Sequence, residues 1–355
     1  MNDRLRYIDN TKGFALAVIC LSHISQASTN PPLLVSETID FLMQMTVPLF
    51  FFISGMLFRT DKYASFRLYV WHKTKTLLIP YFALSILFAV LCPYIFHPSY
   101  LVEELNYPRH AFLTSFLPVT VAAIIEWIVG DIVCIVIGIS SRCTMPLWFV
   151  FILYLVGLCF FFVNARLKNW FFTPALVALL LAYVLPRNVI LTYLHVHAFF
   201  MAFFFYTLGF AYNKMLRRPP VVRFSVFCFA LLVYVLVEFR GPNGFVSGLF
   251  GDSPVRYLLH VCSGICVVLY LFRLFEKQKV KGLGPLMKPF QYISRNGLPV
   301  IAIHFWAMLV YLVFFNKFIQ PVFQFPAIFL FVVSAVVLLL PLLNIYIHWT
   351  QSSIC

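Results

Sequence analysis

Phe325-Pro-Ala-Ile-Phe-Leu-Phe-Val-Val-Ser-Ala-Val-Val-Leu-Leu-Leu-Pro-Leu-Leu343 holds a single polar side chain, Ser334. A run of this kind is long enough to cross the hydrocarbon core, which takes about 20 apolar residues as a helix. It lacks the alternation of apolar and polar residues that a transmembrane β-strand needs. Working outward, similar segments recur at about 14–30, 42–58, 76–96, 146–163, 170–186, 196–213, 222–238, 257–275 and 297–315. With 325–347 they make ten. Of the 355 residues 62% are hydrophobic, against roughly 45–50% in a soluble domain. The fold class expected is an all-α polytopic membrane protein of about ten transmembrane helices. It is read as a single integral membrane domain over residues 1–355.

Residues 111–139 are apolar enough to span but carry Glu126 and Asp131, which need partners at membrane depth. Charge decides between the two topologies. With ten spans and a cytoplasmic amino terminus, 20 of the 26 basic residues face the cytoplasm; an eleventh span would leave 13 on each side. The bias of Lys and Arg toward cytoplasmic loops favours the first arrangement. Both termini are then cytoplasmic, and 97–145 is an outward-side loop with an amphipathic or re-entrant segment.

The net charge of +14 fits that bias and an anionic inner leaflet. The basic residues are spread over several short segments, which argues against nucleic-acid binding. The nine cysteines lie mostly inside apolar runs without metal-type spacing, so no metal site is expected.

Polar side chains within apolar runs carry the functional information. Lys12 and His23 in the first span are eleven residues apart, close to three helical turns and about 16 Å of rise, so they share a face. Asp9 lies three residues before Lys12 and can pair with it. A buried imidazole suits proton transfer near neutral pH; the bland alternative is a snorkelling lysine and a histidine bonded to a neighbouring helix. Pro48 and Gly55 in span two permit a bend and close helix approach, and Ser54 can bond back to its own helix. The following loop, with Arg59, Lys62, Arg67, His72, Lys73 and Lys75, suits either a phosphate-rich ligand or plain topology. In span nine His304 lies about 10 Å deep at 1.5 Å per residue, broadly level with His23, so the two could share a cavity. His195 and His197 sit on different faces of span six.

Six motifs in chain order carry a family resemblance: Asp9…Lys12-Gly13…His23, Val47-Pro-Leu-Phe-Phe-Phe-Ile-Ser-Gly55, Lys73-Thr-Lys75…Pro80-Tyr81, Pro146-Leu-Trp-Phe149, Phe203-Phe-Phe…Leu-Gly209 and Ser294-Arg-Asn-Gly-Leu…Ile-His304. Together they resemble the acyltransferase-3 family of integral membrane O-acyltransferases, chiefly bacterial enzymes that O-acetylate surface polysaccharides. The resemblance implies a multi-pass protein of the bacterial inner membrane. It also implies acetyl transfer from cytoplasmic acetyl-CoA, a co-substrate rather than a resident cofactor, to a hydroxyl of a cell-surface glycan or its lipid-linked precursor.

The family's essential basic residue and histidine fall on Lys12 and His23. His23 would be the general base, either for direct attack by the acceptor hydroxyl or through an acyl-His23 intermediate. Lys12, positioned by Asp9, would hold CoA phosphate or orient the site, with Arg59, Lys73 and Lys75 as further phosphate contacts. Where many members carry arginines, this chain has Lys73 and Lys75, which bind phosphate as point charges rather than forks. Ser54, Trp148 and His304 are candidates for the acceptor side, where an indole face suits stacking on a sugar ring; an interfacial belt position is the alternative for Trp148. The rival class is a transporter or flippase of lipid-linked glycan, with the buried His and Lys in gating or proton coupling. The partners expected are membrane lipid, acetyl-CoA and a glycan acceptor; the acceptor's identity and the oligomeric state are not legible.

Overall fold

A computed structural model describes residues 6–59, 62, 63, 65–95, 121, 129, 132–138, 145–167, 170–216, 224–237, 243–251, 253–278 and 283–353. The segment 97–145, read as an outward-side loop, falls largely outside them. Helices account for almost all of what is described. They are α1 (Arg6–Ala27), α2 (Leu33–Met56), α3 (Phe66–Lys73) and α4 (Ile79–Ile95), followed by α5 (Trp148–Leu167), α6 (Phe172–Val184), α7 (Val189–Tyr193) and α8 (Val196–Leu216). Then come α9 (Phe224–Leu236), α10 (Pro254–Gln278), α11 (Leu283–Arg295), α12 (Gly297–Phe314) and α13 (Pro321–Ser353). A two-residue antiparallel pair, β1 (Asn243–Gly244) and β2 (Leu249–Phe250), sits between α9 and α10.

Among the described residues, seven helical segments are long and apolar enough to cross a membrane, and α6 and α9 are shorter apolar helices. With α1 they fall on the ten expected segments. The protein is an all-α polytopic membrane protein. One boundary differs from expectation in an informative way. The basic stretch after span two was read as a loop, yet Phe66–Lys73 is helical and continues through a π turn, Thr74–Leu78, into α4. Tyr69 is fully buried there while Phe66, Arg67, Leu68 and Trp71 are exposed, so one aromatic side chain anchors a short helix whose open side mixes apolar and basic residues.

Two compact units divide the chain. The first comprises Met1–Gln26, Pro31–Trp71 and Ile152–Gly297; the second comprises Ala27–Asn30, His72–Phe151 and Leu298–Cys355.

In the first unit α8 is the central helix, packing on α2 and α6. Gly55 of α2 faces the Tyr206 carbonyl of α8, and Gly209 of α8 faces the Phe52 carbonyl of α2; a Cβ at either position would collide with backbone. This is the small-residue contact by which membrane helices gain dispersion energy without a hydrophobic driving force. α6 turns Ala175, Ala178 and Ala182 inward for the same reason. Phe58, just past α2, inserts among the rings of Tyr69, Phe160, Phe161, Tyr206 and Phe210.

The hairpin of β1 and β2 covers residues from α2, α6, α8 and α10. Phe245 stacks on Phe51, and Phe250 meets Tyr183 and Tyr257. Its carbonyls are taken up as well: Val246 O bonds to His195 Nδ1, and Gly248 O accepts from Arg187 Nε.

In the second unit α4 packs on α13. Tyr346 Oη donates to the Ala83 carbonyl (3.1 Å) and Gln351 Nε2 to the Lys75 carbonyl (3.0 Å). The latter bond has a local cause. In the π turn Ile79 N–H reaches back to the Thr74 carbonyl, and widening a helical turn loosens its other carbonyls; Gln351 takes up one of them. Tyr81 Oη donates to the carbonyl of Ile135 (3.0 Å), a buried residue of the short helical stretch 132–137. That part of the 111–139 segment therefore packs on protein.

Candidate active site

The candidate residues divide between the two units. Asp9, Lys12, His23, Ser54 and Arg59 belong to the first; Lys73, Lys75, Trp148 and His304 belong to the second.

In the first unit the site is built on α1. Asp9 is buried, and Lys12 and His23 are both half-buried. One unbroken helix joins them, so the helical repeat holds their shared face and their axial spacing of about 16 Å. The same helix buries Asn10, Thr11, Ser22 and Ser25. Thr11 Oγ1 donates to the Tyr7 carbonyl (2.7 Å), and Gln26 Nε2 donates to Ser22 Oγ (3.1 Å). Local bonds of this kind let hydroxyls enter a packed interior without a desolvation penalty.

Sequence reasoning missed what anchors the start of this helix. Glu276, in the last turn of α10, accepts from the backbone N–H of Arg6 through one carboxylate oxygen and from that of Tyr7 through the other, both at 3.2 Å. A carboxylate on the unsatisfied N–H groups of a helix start satisfies two orphan donors and complements the helix dipole. Arg273, one turn earlier on α10, interacts electrostatically with the Tyr7 and Tyr212 phenols. Thus the beginning of α1 and the ends of α8 and α10 meet at one end of this unit, with Arg6 and Tyr7 less than two helical turns before Lys12. The one available signal was Glu276 itself, an acid in an otherwise basic segment.

Gly13, beside Lys12, explains a second part of the motif. A Cβ there would run into the Phe290 carbonyl of α11. The aromatic rings of Phe14, Phe272 and Phe290 pack around that contact. Lys12 is therefore carried on a stretch of backbone clamped to α11, while Leu16 lies against Gly297. Ser54 is half-buried on α2 next to Gly55, and Arg59 is exposed beyond the helix end.

In the second unit Lys73 closes α3 and Lys75 lies in the π turn, both half-buried. His304 is fully buried in α12, with Nδ1 donating to the Val300 carbonyl one turn back (3.1 Å). That bond fixes the tautomer and leaves Nε2 as the acceptor nitrogen. Trp148, at the start of α5, is 9% exposed, unlike Trp170 at 74% and Trp349 at 63%. The last two have the exposure of belt tryptophans; Trp148 is packed. His195 and His197 bond to different carbonyls, those of Val246 and Leu185. No group of side chains suited to a metal ion occurs among the described residues.

The family model described as acyltransferase domain matches residues 5–343. The chain belongs to the acyltransferase-3 family. It is a membrane acyltransferase, and the match embraces α1 through most of α13, so both units lie within the family domain. No curated protein and no solved structure matches the chain.

Proposed function

We propose that this membrane acyltransferase moves an acetyl group from cytoplasmic acetyl-CoA to a hydroxyl of a cell-surface glycan or its lipid-linked precursor in the bacterial inner membrane. The observation that supports this reading most is the character of α1. It is more polar than the seven described helical segments long and apolar enough to cross a membrane, and it keeps a half-buried imidazole and a half-buried ammonium on one face.

In the proposed reaction His23 accepts the proton of the acceptor hydroxyl as its oxygen attacks the thioester carbonyl. The C–S bond then breaks, CoA leaves as thiolate, and the proton on the imidazole returns to it. A positioned general base contributes about 10²–10⁴-fold. Lys12 is assigned to CoA phosphate, with Arg59, Lys73 and Lys75 supplying further positive charge; Asp9 holds Lys12 in place. Trp148, Ser54 and His304 are assigned to the acceptor.

The test is purified full-length protein incubated with acetyl-labelled CoA and envelope glycan. CoA release and label transfer are expected from the parent chain, and a loss of at least 100-fold from His23→Ala at equal membrane abundance. Undiminished transfer by His23→Ala would remove the catalytic assignment.

A further inference from the structure

A cleft of about 620 Å³ opens in the first unit between α5, α6 and α8, and no residue of α1 lines it. Leu167 of α5, Val177 and Ala178 of α6 and Phe203 of α8 are among its walls. Its surface is hydrocarbon apart from the Cys159 thiol, the Thr173 hydroxyl and the Trp170 indole. In a bilayer such a hollow takes up what surrounds it, because lipid tails are as apolar as its walls.

Three features define the occupant further. The first is length. Along α6 the cleft runs from Thr173 to Leu181, with Trp170 just before the helix start; that is about 12 Å at 1.5 Å per residue, most of one leaflet's share of a hydrocarbon core of about 30 Å. The second is the end at Trp170, whose exposed indole has the position of an interfacial anchor. The third is charge at that same end. Arg166 lies 4.6 Å over the Phe162 ring at the end of α5, and Lys214 lies 4.9 Å over the ring of Phe171, the neighbour of Trp170. Ring faces hold cations in place, so two positive groups flank the mouth of an apolar channel most of one leaflet deep.

We propose that this cleft binds one acyl chain of an anionic phospholipid, with its phosphate held by Arg166 and Lys214. The proposal is independent of the acetyl-transfer reading. It is tested by native mass spectrometry of the full-length protein equilibrated with phosphatidylglycerol or with phosphatidylcholine of the same tails.

The parent chain is expected to retain phosphatidylglycerol at least tenfold more than phosphatidylcholine. Val177 is 50% exposed, so Val177→Trp fills the cleft without entering the core; it should lower retained phosphatidylglycerol at least tenfold. Thr173→Trp should do the same. Arg166→Gln combined with Lys214→Gln should bring the ratio of the two lipids to within twofold. Equal retention of both lipids by the parent overturns the proposal, as does undiminished binding by folded Val177→Trp or Thr173→Trp. Loss of a dimer in those variants with lipid retention unchanged would make the cleft a contact between copies instead.

Discussion

α1 and α13 are both long enough to cross a bilayer, and they are built on opposite terms. α13 turns Leu330, Val337, Leu338, Leu342 and Ile345 outward as exposed apolar side chains, the natural surface of a helix against lipid. Two of its polar groups tie it to its neighbours in the second unit: Tyr346 bonds to α4 and Gln351 to the π turn before α4. α1 instead buries Asp9, Asn10, Thr11, Ser22 and Ser25, so its polar atoms face protein. A helix can carry such a load at membrane depth only where bonds and neighbouring backbone replace water. The polar helix must be held in register by its surroundings; the apolar one need only be greasy.

That contrast can be broken most sharply at Gly13. Val there drives a side chain into the α11 backbone, and overpacking of this kind costs about 1–3 kcal/mol. Gly13→Val is expected to lower the thermal midpoint in detergent and to abolish acyl transfer; an unchanged midpoint would mean that Gly13 does not clamp α1 against α11. Lys12→Ala should fold normally and raise the apparent KM for acetyl-CoA about tenfold, the scale of one lost hydrogen bond to a charged group. A change in kcat alone would move Lys12 out of donor binding.

Glu276→Gln keeps the shape of the cap but removes its charge. The expected loss is about 1 kcal/mol, read as faster hydrogen exchange at the amides of Arg6 and Tyr7 with the rest of α1 unaffected. Leu338→Ala on the lipid-facing side of α13 should shift stability by no more than about 0.5 kcal/mol and leave transfer untouched. If Leu338→Ala proves as damaging as Glu276→Gln, the division between the two helices fails.

What could be read from the chain follows the range of the physics involved. Hydropathy is local, so the spans were legible, and the helical repeat alone placed Lys12 and His23 on one face. The Glu276 cap was not legible, because it joins residues about 270 positions apart and no local pattern announces it. The short helix α3 was hidden by its basic residues, although Tyr69, the one side chain it buries fully, stood among them. The full burial of His304 and its bond to Val300 depend on packing and a rotamer that sequence does not encode. Trp148 was ambiguous between belt and interior until its exposure set it apart from Trp170 and Trp349.

The π turn at Thr74–Leu78 sets the phase with which the chain enters α4. It inserts one residue beyond the regular repeat, and a residue in an α-helix is worth about 100° of rotation. Without that offset, Tyr81 would swing away from the Ile135 carbonyl, and the Lys75 carbonyl offered to Gln351 would be drawn back into the ladder of its own helix. A single surplus amino acid thus acts as a dial setting, keeping the Tyr81 phenol and the Lys75 carbonyl each turned toward its partner within the second unit.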